Sequence, residues 1–173
     1  LCEALYTRVA LEQEMGPFIG VCPVNHTNDR HSPSAWKMSN ALESWSFGGC
    51  DGSKANVEVY ARAARVDLFV NGKQVGSKQL KNDCIARFSC TYESGSIEAV
   101  AYDNNGKEIG RKVLQTAGNE TVITMEAEKS CVKHGRLAYV RLRYTDKNKI
   151  TKPLERGMIQ LTVEAESLKP LVM

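Results

Sequence analysis

Short runs in which apolar and polar residues alternate fill the middle of the chain. They read VEVYARAARVDLFVNGKQVG at 57–76, IARFSCTY at 85–92 and SIEAVAYDNNGKEIG at 96–110. A period of two places alternate side chains on opposite faces of a strand. Two Asn-Gly pairs, Asn71-Gly72 and Asn105-Gly106, punctuate the runs. A type I′ hairpin turn needs positive φ at both central residues, which Asn-Gly supplies. The pattern predicts strands over 41–47, 54–61, 65–70, 74–80, 85–92, 96–103 and 108–115. Val66, Leu68 and Val70 share one face, as do Ala86, Phe88, Cys90 and Tyr92, and both sets belong in the core. Residues 97–102 are apolar on both faces, as suits a central strand.

The flanks read differently. Leu1, Leu5 and Val9 recur four residues apart, with Cys2 and Tyr6 beside them, which predicts a helix over 1–14 stopped by Met15-Gly16-Pro17. Thr116 to Asn119 form a boundary, and further strands are predicted at 121–127, 137–145 and 158–165. The expected fold class is all-β: an immunoglobulin-like antiparallel β-sandwich, a second, partial immunoglobulin-like sandwich, and a short N-terminal helix. The expected units are 1–35, a helical remnant of a preceding domain with its linker; 36–118, the sandwich; and 119–173, the partial second domain. The last is only about half the ~100 residues that such a fold uses. Strand exchange, a homo-oligomer through the second domain, a partner chain or partial disorder beyond residue 150 is therefore expected. Both ends look like cuts in a longer protein.

Composition narrows the function. The 173 residues carry a net charge of +3 with no basic run or Arg-rich stripe, so nucleic acid is not an expected partner. No apolar run approaches the ~20 residues of a membrane span. The six cysteines form no C-x-x-C pair and read as reduced, structural thiols, which points to a cytoplasmic location while secretion or a periplasmic site stays open. Cys22, His26, Asp29 and His31 carry zinc-type donors, but their spacing matches no ligand pattern, so no metal or other cofactor is expected. Glu58, Asp67 and Glu98 alternate with core positions and should face outward, and no acid reads as buried. No G-x-S-x-G, G-x-G-x-x-G or P-loop occurs. Asn25-His26-Thr27 and Asn119-Glu120-Thr121 match the glycosylation triplet, too short a pattern to carry weight. Trp36, Trp45 and Phe47 lie near a Gly-rich turn, where aromatic rings either stack on sugars or plug a sandwich end.

Taken together, PFIGVCPVNH (17–26), SAWKMSNALESWSF (34–47), the turn GGCDG, VEVYARAARVDLFVNGKQVG and SIEAVAYDNNGKEIGRKVLQTAG resemble the region after the catalytic barrel in bacterial family 2 glycoside hydrolases, in the β-galactosidase-like branch. TVITMEAEKSCVKHGRLAYVRLRYTDKNKI (121–150) is similar to the bacterial immunoglobulin-like domain that follows, although Lys133-His134-Gly135 stands where an Asp-Gly is usual and the chain ends early at Met173. The resemblance implies a parent that is a retaining β-glycosidase, with both catalytic glutamates on the barrel upstream. No position here matches either motif, so no catalytic residue carries over and the fragment should be inactive. Its implied partner is the rest of the parent enzyme. The loop from His26 to Trp36 is expected near the sugar site, with His26, Asp29, His31 and Trp36 as rim residues. The rival readings are an independent carbohydrate-binding module with Trp36 and Trp45 as stacking platform, and an immunoglobulin-like surface adhesin.

Overall fold

Three strands packed on four enclose the core. A computed structural model describes residues 2–26, 39–81, 83–133 and 135–162. A helix α1 (Cys2–Ala10) is followed by β1 (Phe18–Val21), β2 (Lys54–Tyr60), β3 (Arg65–Val70), β4 (Lys73–Gln79), β5 (Ile85–Thr91), β6 (Ser96–Tyr102) and β7 (Glu108–Gln115). One sheet has the order β1-β2-β5 and the other β4-β3-β6-β7. All pairs are antiparallel. β8 (Val122–Ala127) and β9 (Val140–Thr145) form a separate antiparallel pair. Among the described residues the fold is all-β apart from α1 and one short 3-10 turn, Val24–His26.

The alternation is realised as expected. Ala55, Val57 and Val59 of β2, Val66, Leu68 and Val70 of β3, Ala86 and Phe88 of β5, and Ile97, Ala99 and Ala101 of β6 are buried between the sheets. β6 lies between β3 and β7, so Val100 on its other face is buried as well. Val70 pairs with Lys73 across a two-residue turn in which Asn71 and Gly72 have φ of 48° and 77°, the I′ signature.

Elsewhere the backbone departs from the pattern. At the second Asn-Gly only Gly106 has positive φ; Asp103 Oδ1 accepts from Asn105 N (2.8 Å) and Lys107 N (2.9 Å), so a longer, side-chain-braced loop replaces the two-residue turn. β1 lies in the stretch assigned to the linker, yet it pairs with β2 from Phe18↔Tyr60 to Val21↔Val57 and contributes Ile19 and Val21 to the core. The helix stops at Ala10, before Met15-Gly16-Pro17. Glu12 takes φ 60°, Gln13 N donates to Arg8 O (2.9 Å) and Glu12 N to Val9 O (3.2 Å), a Schellman ending with Glu where Gly is usual. Arg62 supports this ending by donating to Val9 O (3.1 Å) and Ala10 O (3.3 Å). In the second pair, β9 begins at Val140 rather than 137, and 158–162 are not a strand; 163–165 lie outside the described residues.

The predicted strand at 41–47 is a correction of another kind. Only Leu42 makes a bridge, to Val21, and the rest is irregular. Its polar groups are satisfied by side chains instead of a ladder: Ser46 Oγ accepts from Ala117 N (2.8 Å) and donates to Gln115 O (3.3 Å), and Phe47 N donates to the Tyr92 hydroxyl (3.1 Å). Trp45 and Phe47 are both 0% exposed and close one end of the sandwich. Trp45 packs 4.7 Å from the Tyr92 ring and donates Nε1–H to Glu93 O at 3.0 Å. Trp45→Ala should therefore lower stability by about 3–5 kcal/mol in urea unfolding of the chain. A loss below about 1 kcal/mol would mean that Trp45 does not hold this end closed.

Candidate functional site

Where the chain resumes after 27–38, Ser39 and Ala41 lie at the outer face of the three-stranded sheet. Glu58 and Tyr60 stand two apart on β2, on the same face, under α1. Glu58 Oε2 accepts from Tyr60 OH (2.6 Å) and from Ser39 Oγ (2.8 Å), and Arg87 Nε lies 3.6 Å from its Oε1. Ser39 also accepts from Ala41 N (3.0 Å) and donates its own N–H to Glu3 Oε1 (3.3 Å). Cys2, Val9, Ala41 and Tyr60 form the small core behind this cluster, with Tyr6 edge-on to Tyr60 at 6.0 Å. Gly20 belongs here because a Cβ on it would come within 3.0 Å of both Cys2 Sγ and Ala41 Cβ.

The electrostatics of the cluster disfavour reaction. Burial pushes the Cys2 thiol up to about 11. Burial, then the Glu58 charge, raises Cys22. Burial first, then its bond to Glu58, holds the Tyr60 phenol well above its ordinary range. Phenol and thiols all stay protonated near neutral pH, so none is a ready nucleophile. The arrangement can anchor backbone; it holds no activated group.

Of the rim residues, His26 ends the 3-10 turn and is exposed, with its N–H bonded to Pro23 O (3.0 Å). Asp29, His31 and Trp36 lie outside the described residues. Cys22 and His26 join no metal-type cluster among the described residues. Trp45, the other half of the suggested stacking platform, is enclosed and cannot offer a face to a sugar.

Glu58, Asp67 and Glu98 were expected to face outward with no acid buried; Asp67 does lie on the outer face, opposite Val66 and Leu68, but it is buried there. It is 8% exposed, at the middle of a central strand, where Ser77 Oγ donates to its Oδ1 (2.6 Å) and Arg65 Nε sits 3.2 Å away. Arg65 in turn lies over the Tyr102 ring at 4.3 Å. A short carboxylate flanked by two strands is covered by the longer side chains around it. Glu98 does face outward and pairs with Arg111, which also holds Glu108 (2.9 Å).

A second acid was missed altogether. Asp146, 1% exposed, accepts from Gly118 N (2.9 Å), Asn148 N (2.8 Å) and Ile150 N (2.9 Å). Lys152 Nζ donates to Asn119 O (3.1 Å), Glu120 O (3.3 Å) and Thr121 Oγ1 (2.7 Å). Together they tie the boundary segment to the turn after β9. The available signal was Asp146-Lys147-Asn148-Lys149, whose leading Asp can bond the backbone two residues on.

Two clefts accompany these features. One of about 570 Å³ opens between the edges of β4 and β5 and is lined by Val75, Gly76, Lys78, Arg87 and Phe88. The other, about 320 Å³, lies between the sandwich and the turn after β9, lined by Glu43, Trp45, Val113, Gln115, Ile150 and Thr151. The first has no carboxylate in its lining. The second has Glu43, paired with Lys112 at 2.8 Å.

Comparison with known proteins gives this geometry its context. A family described as a domain of unknown function, DUF4982, matches residues 52–110. No curated protein matches the chain. A glycosyl hydrolase family 2 member from Bacteroides cellulosilyticus DSM 14838 shares 28% identity at a TM-score of 0.67, over 84% of this chain and 20% of that one. A beta-glycosidase from Bacteroides vulgatus shares the fold at 23% identity and a TM-score of 0.60, over 87% of this chain and 17% of that one. A beta-glucuronidase from glycoside hydrolase family 2 does so at 21% and 0.55, over 66% and 12%. The chain thus spans about a fifth or less of the length of these proteins. Fold and geometry define a β-sandwich segment with no barrel among the described residues. Over most of its length the chain is similar in fold and sequence to a portion of family 2 glycosyl hydrolases, in agreement with the sequence resemblance.

The bonds at Asp146 lead to a pH prediction. Its carboxyl is held below its ordinary value of 3.8, first by the Gly118 N–H and then by the Ile150 and Asn148 N–H groups. Asp51 is lowered likewise, by the backbone and hydroxyl of Ser94. A depressed folded-state value adds stability that is complete above the unfolded value and lost as pH falls through the folded one. Thermal melts should show constant stability from pH 7 to 5 and a steep loss below about pH 4. Asp146→Asn should lower the melting temperature at pH 6 by several degrees and by much less at pH 2.5. A gap that stays constant with pH would contradict the assignment.

Proposed function

We propose that this chain is a non-catalytic accessory region of a glycoside hydrolase whose reaction takes place on a separate barrel. In this reading the parent is a bacterial, β-galactosidase-like enzyme that cleaves terminal β-glycosides with retention, and the sandwich braces its barrel. One observation carries the proposal. Glycoside cleavage uses two carboxyls roughly 5–9.5 Å apart in an open cleft, whereas Glu58, Asp67, Asp51 and Asp146 are each engaged in holding the fold. Glu58 secures Ser39 and Tyr60, Asp67 secures Ser77, Asp51 secures Ser94, and Asp146 secures the boundary segment.

The stretch between His26 and Ser39 is read as the part nearest the sugar, with His26, Asp29, His31 and Trp36 at its rim. A carbohydrate-binding module acting alone is disfavoured, because Trp45 is enclosed.

Two measurements test the reading. The chain by itself should release no nitrophenol from aryl β-galactosides or β-glucuronides over hours at micromolar concentration; turnover above buffer would overturn it. In the complete enzyme, Trp36→Ala should raise KM for extended substrates several-fold with kcat little changed, and unchanged kinetics would remove Trp36 from the rim.

A further inference from the structure

The two layers of the sandwich differ by one strand, and the difference falls on one side. β1 lies beside β7 and β5 beside β4, so no strand of the three-stranded sheet stands opposite β4. Cross-strand register sets Lys73, Gly76 and Lys78 on the inner face of β4, next to Val70, Leu68 and Val66. Those three neighbours are buried, yet Lys73 and Lys78 are exposed. The inner face of β4 therefore looks onto open space, and the cleft of about 570 Å³ is that space. Phe88 is its floor, with a ring so close to β4 that a Cβ on Gly76 would come within 2.7 Å of it.

The two edges that border the cleft are unequal. β4 carries a bulge: Leu68 faces Gly76 and Phe69 faces Gln74, which leaves Val75 unpaired. A bulge and lysines blunt an edge against a further strand. β5 has no such irregularity and pairs with β2 in unbroken register from Ile85 to Thr91. Its ladder has the parity of Tyr92 N donating to Ser53 O (2.8 Å) and Ala61 N donating to Cys84 O (3.1 Å). Bonds in an antiparallel pair recur at every second residue, so Ala86, Phe88 and Cys90 bond to β2. The N–H and C=O groups of Ile85, Arg87, Ser89 and Thr91 point the other way, along the free edge.

Charge selects what that edge can take. Lys73, Lys78, Lys81 and Arg87 against Asp83 give the stretch 73–91 a net charge of +3, equal to that of the whole chain. Arg87 meets Glu58 at 3.6 Å, yet its side chain stays 64% exposed. A second copy would bring the same cations to the edge and be repelled, whereas a strand bearing carboxylates would be attracted. We propose that the free edge of β5 accepts an extended, acidic segment of another polypeptide as a fourth strand of the three-stranded sheet. It lies beneath β4, with one carboxylate beside Arg87 on the outer face and another beside Lys78 on the inner one. Backbone bonds to Arg87 and Ser89 supply the affinity, and the two cations supply the choice of partner.

The probe is a fluorescent peptide of Thr and Glu, as long as β5, with adjacent glutamates at its centre so that one falls on each face. Titrated with the full chain, it should bind at sub-millimolar concentration and slow hydrogen exchange of the Arg87, Ser89 and Thr91 amides. The Phe88 amide, already bonded to β2, should not change. Of the two alternate sets of peptide nitrogens, methylation of one should weaken binding about tenfold or more, because the ladder loses its donors. Lys78→Glu and Arg87→Glu should each weaken it about fivefold or more and admit the counterpart peptide with Lys in place of Glu. Lys107→Glu, at the β6–β7 turn, should do neither. No binding, binding indifferent to both charge reversals, or binding without alternate protection in β5 would overturn the proposal. So would the same protection rising with protein concentration alongside a dimer in sedimentation, which would assign the edge to a second copy. Binding of dextran sulfate in place of the peptide would likewise overturn it and assign the cations to an anionic polysaccharide.

Discussion

Burial of Trp45 is the constraint on which the sandwich depends. Its ring fills the end of the space between the two sheets, and its backbone carbonyl accepts from Thr116 Oγ1 (2.7 Å) and the Tyr92 hydroxyl (3.4 Å). With Nε1–H on Glu93 O, one residue joins the irregular run before β2, the β5–β6 connection and the exit from β7. Asn71 adds to the same end, donating to Ser94 O (3.1 Å) and accepting from Ser96 N (2.8 Å). A buried indole carries a large apolar area and one donor that must be satisfied. Both demands are met only when these loops close together.

The opposite end is held by close approach. Gly110 packs where a Cβ would come within 2.8 Å of Gly16 O and of the Pro17 ring. Arg62 collects the last carbonyls of α1 and pairs with Glu12 at 3.0 Å. Helix and first strand are thereby built into the sandwich. At the far boundary Asp146 and Lys152 perform the corresponding task for the segment leading into β8. Among the described residues, these polar side chains act as fasteners between segments far apart in sequence.

The similarity to a family 2 glycosyl hydrolase consists of a shared fold across most of the chain together with 28% identity to that protein. It concerns a portion about a fifth as long as that protein. The strands with the plainest alternation are β2, β3, β5 and β6. The Glu58 cluster lies to one side of them, where the chain returns from 27–38, and gives a physical reason for a Glu, a Tyr and a Ser to converge on the outer face of a sheet.

By itself the sequence determined the elements whose side-chain period is set locally. β3 and β7 begin and end where alternation predicts, and Asn71-Gly72 forms the turn that its φ preferences demand. The central position of β6 followed from its being apolar on both faces. Tertiary structure decided whatever depends on a distant partner. Trp45 and Phe47 carry a strand-like spacing, yet their segment stays irregular because Tyr92, Gln115 and Ala117 satisfy its polar groups from far along the chain. Asp67 is buried because Ser77 and Arg65 close over it, although its position alone pointed to solvent. The helix ends at Ala10 because Glu12 adopts a left-handed conformation and Arg62 donates hydrogen bonds to the carbonyls of Val9 and Ala10. Periodicity is a property of neighbours in sequence; burial and hydrogen-bond satisfaction are properties of neighbours in space.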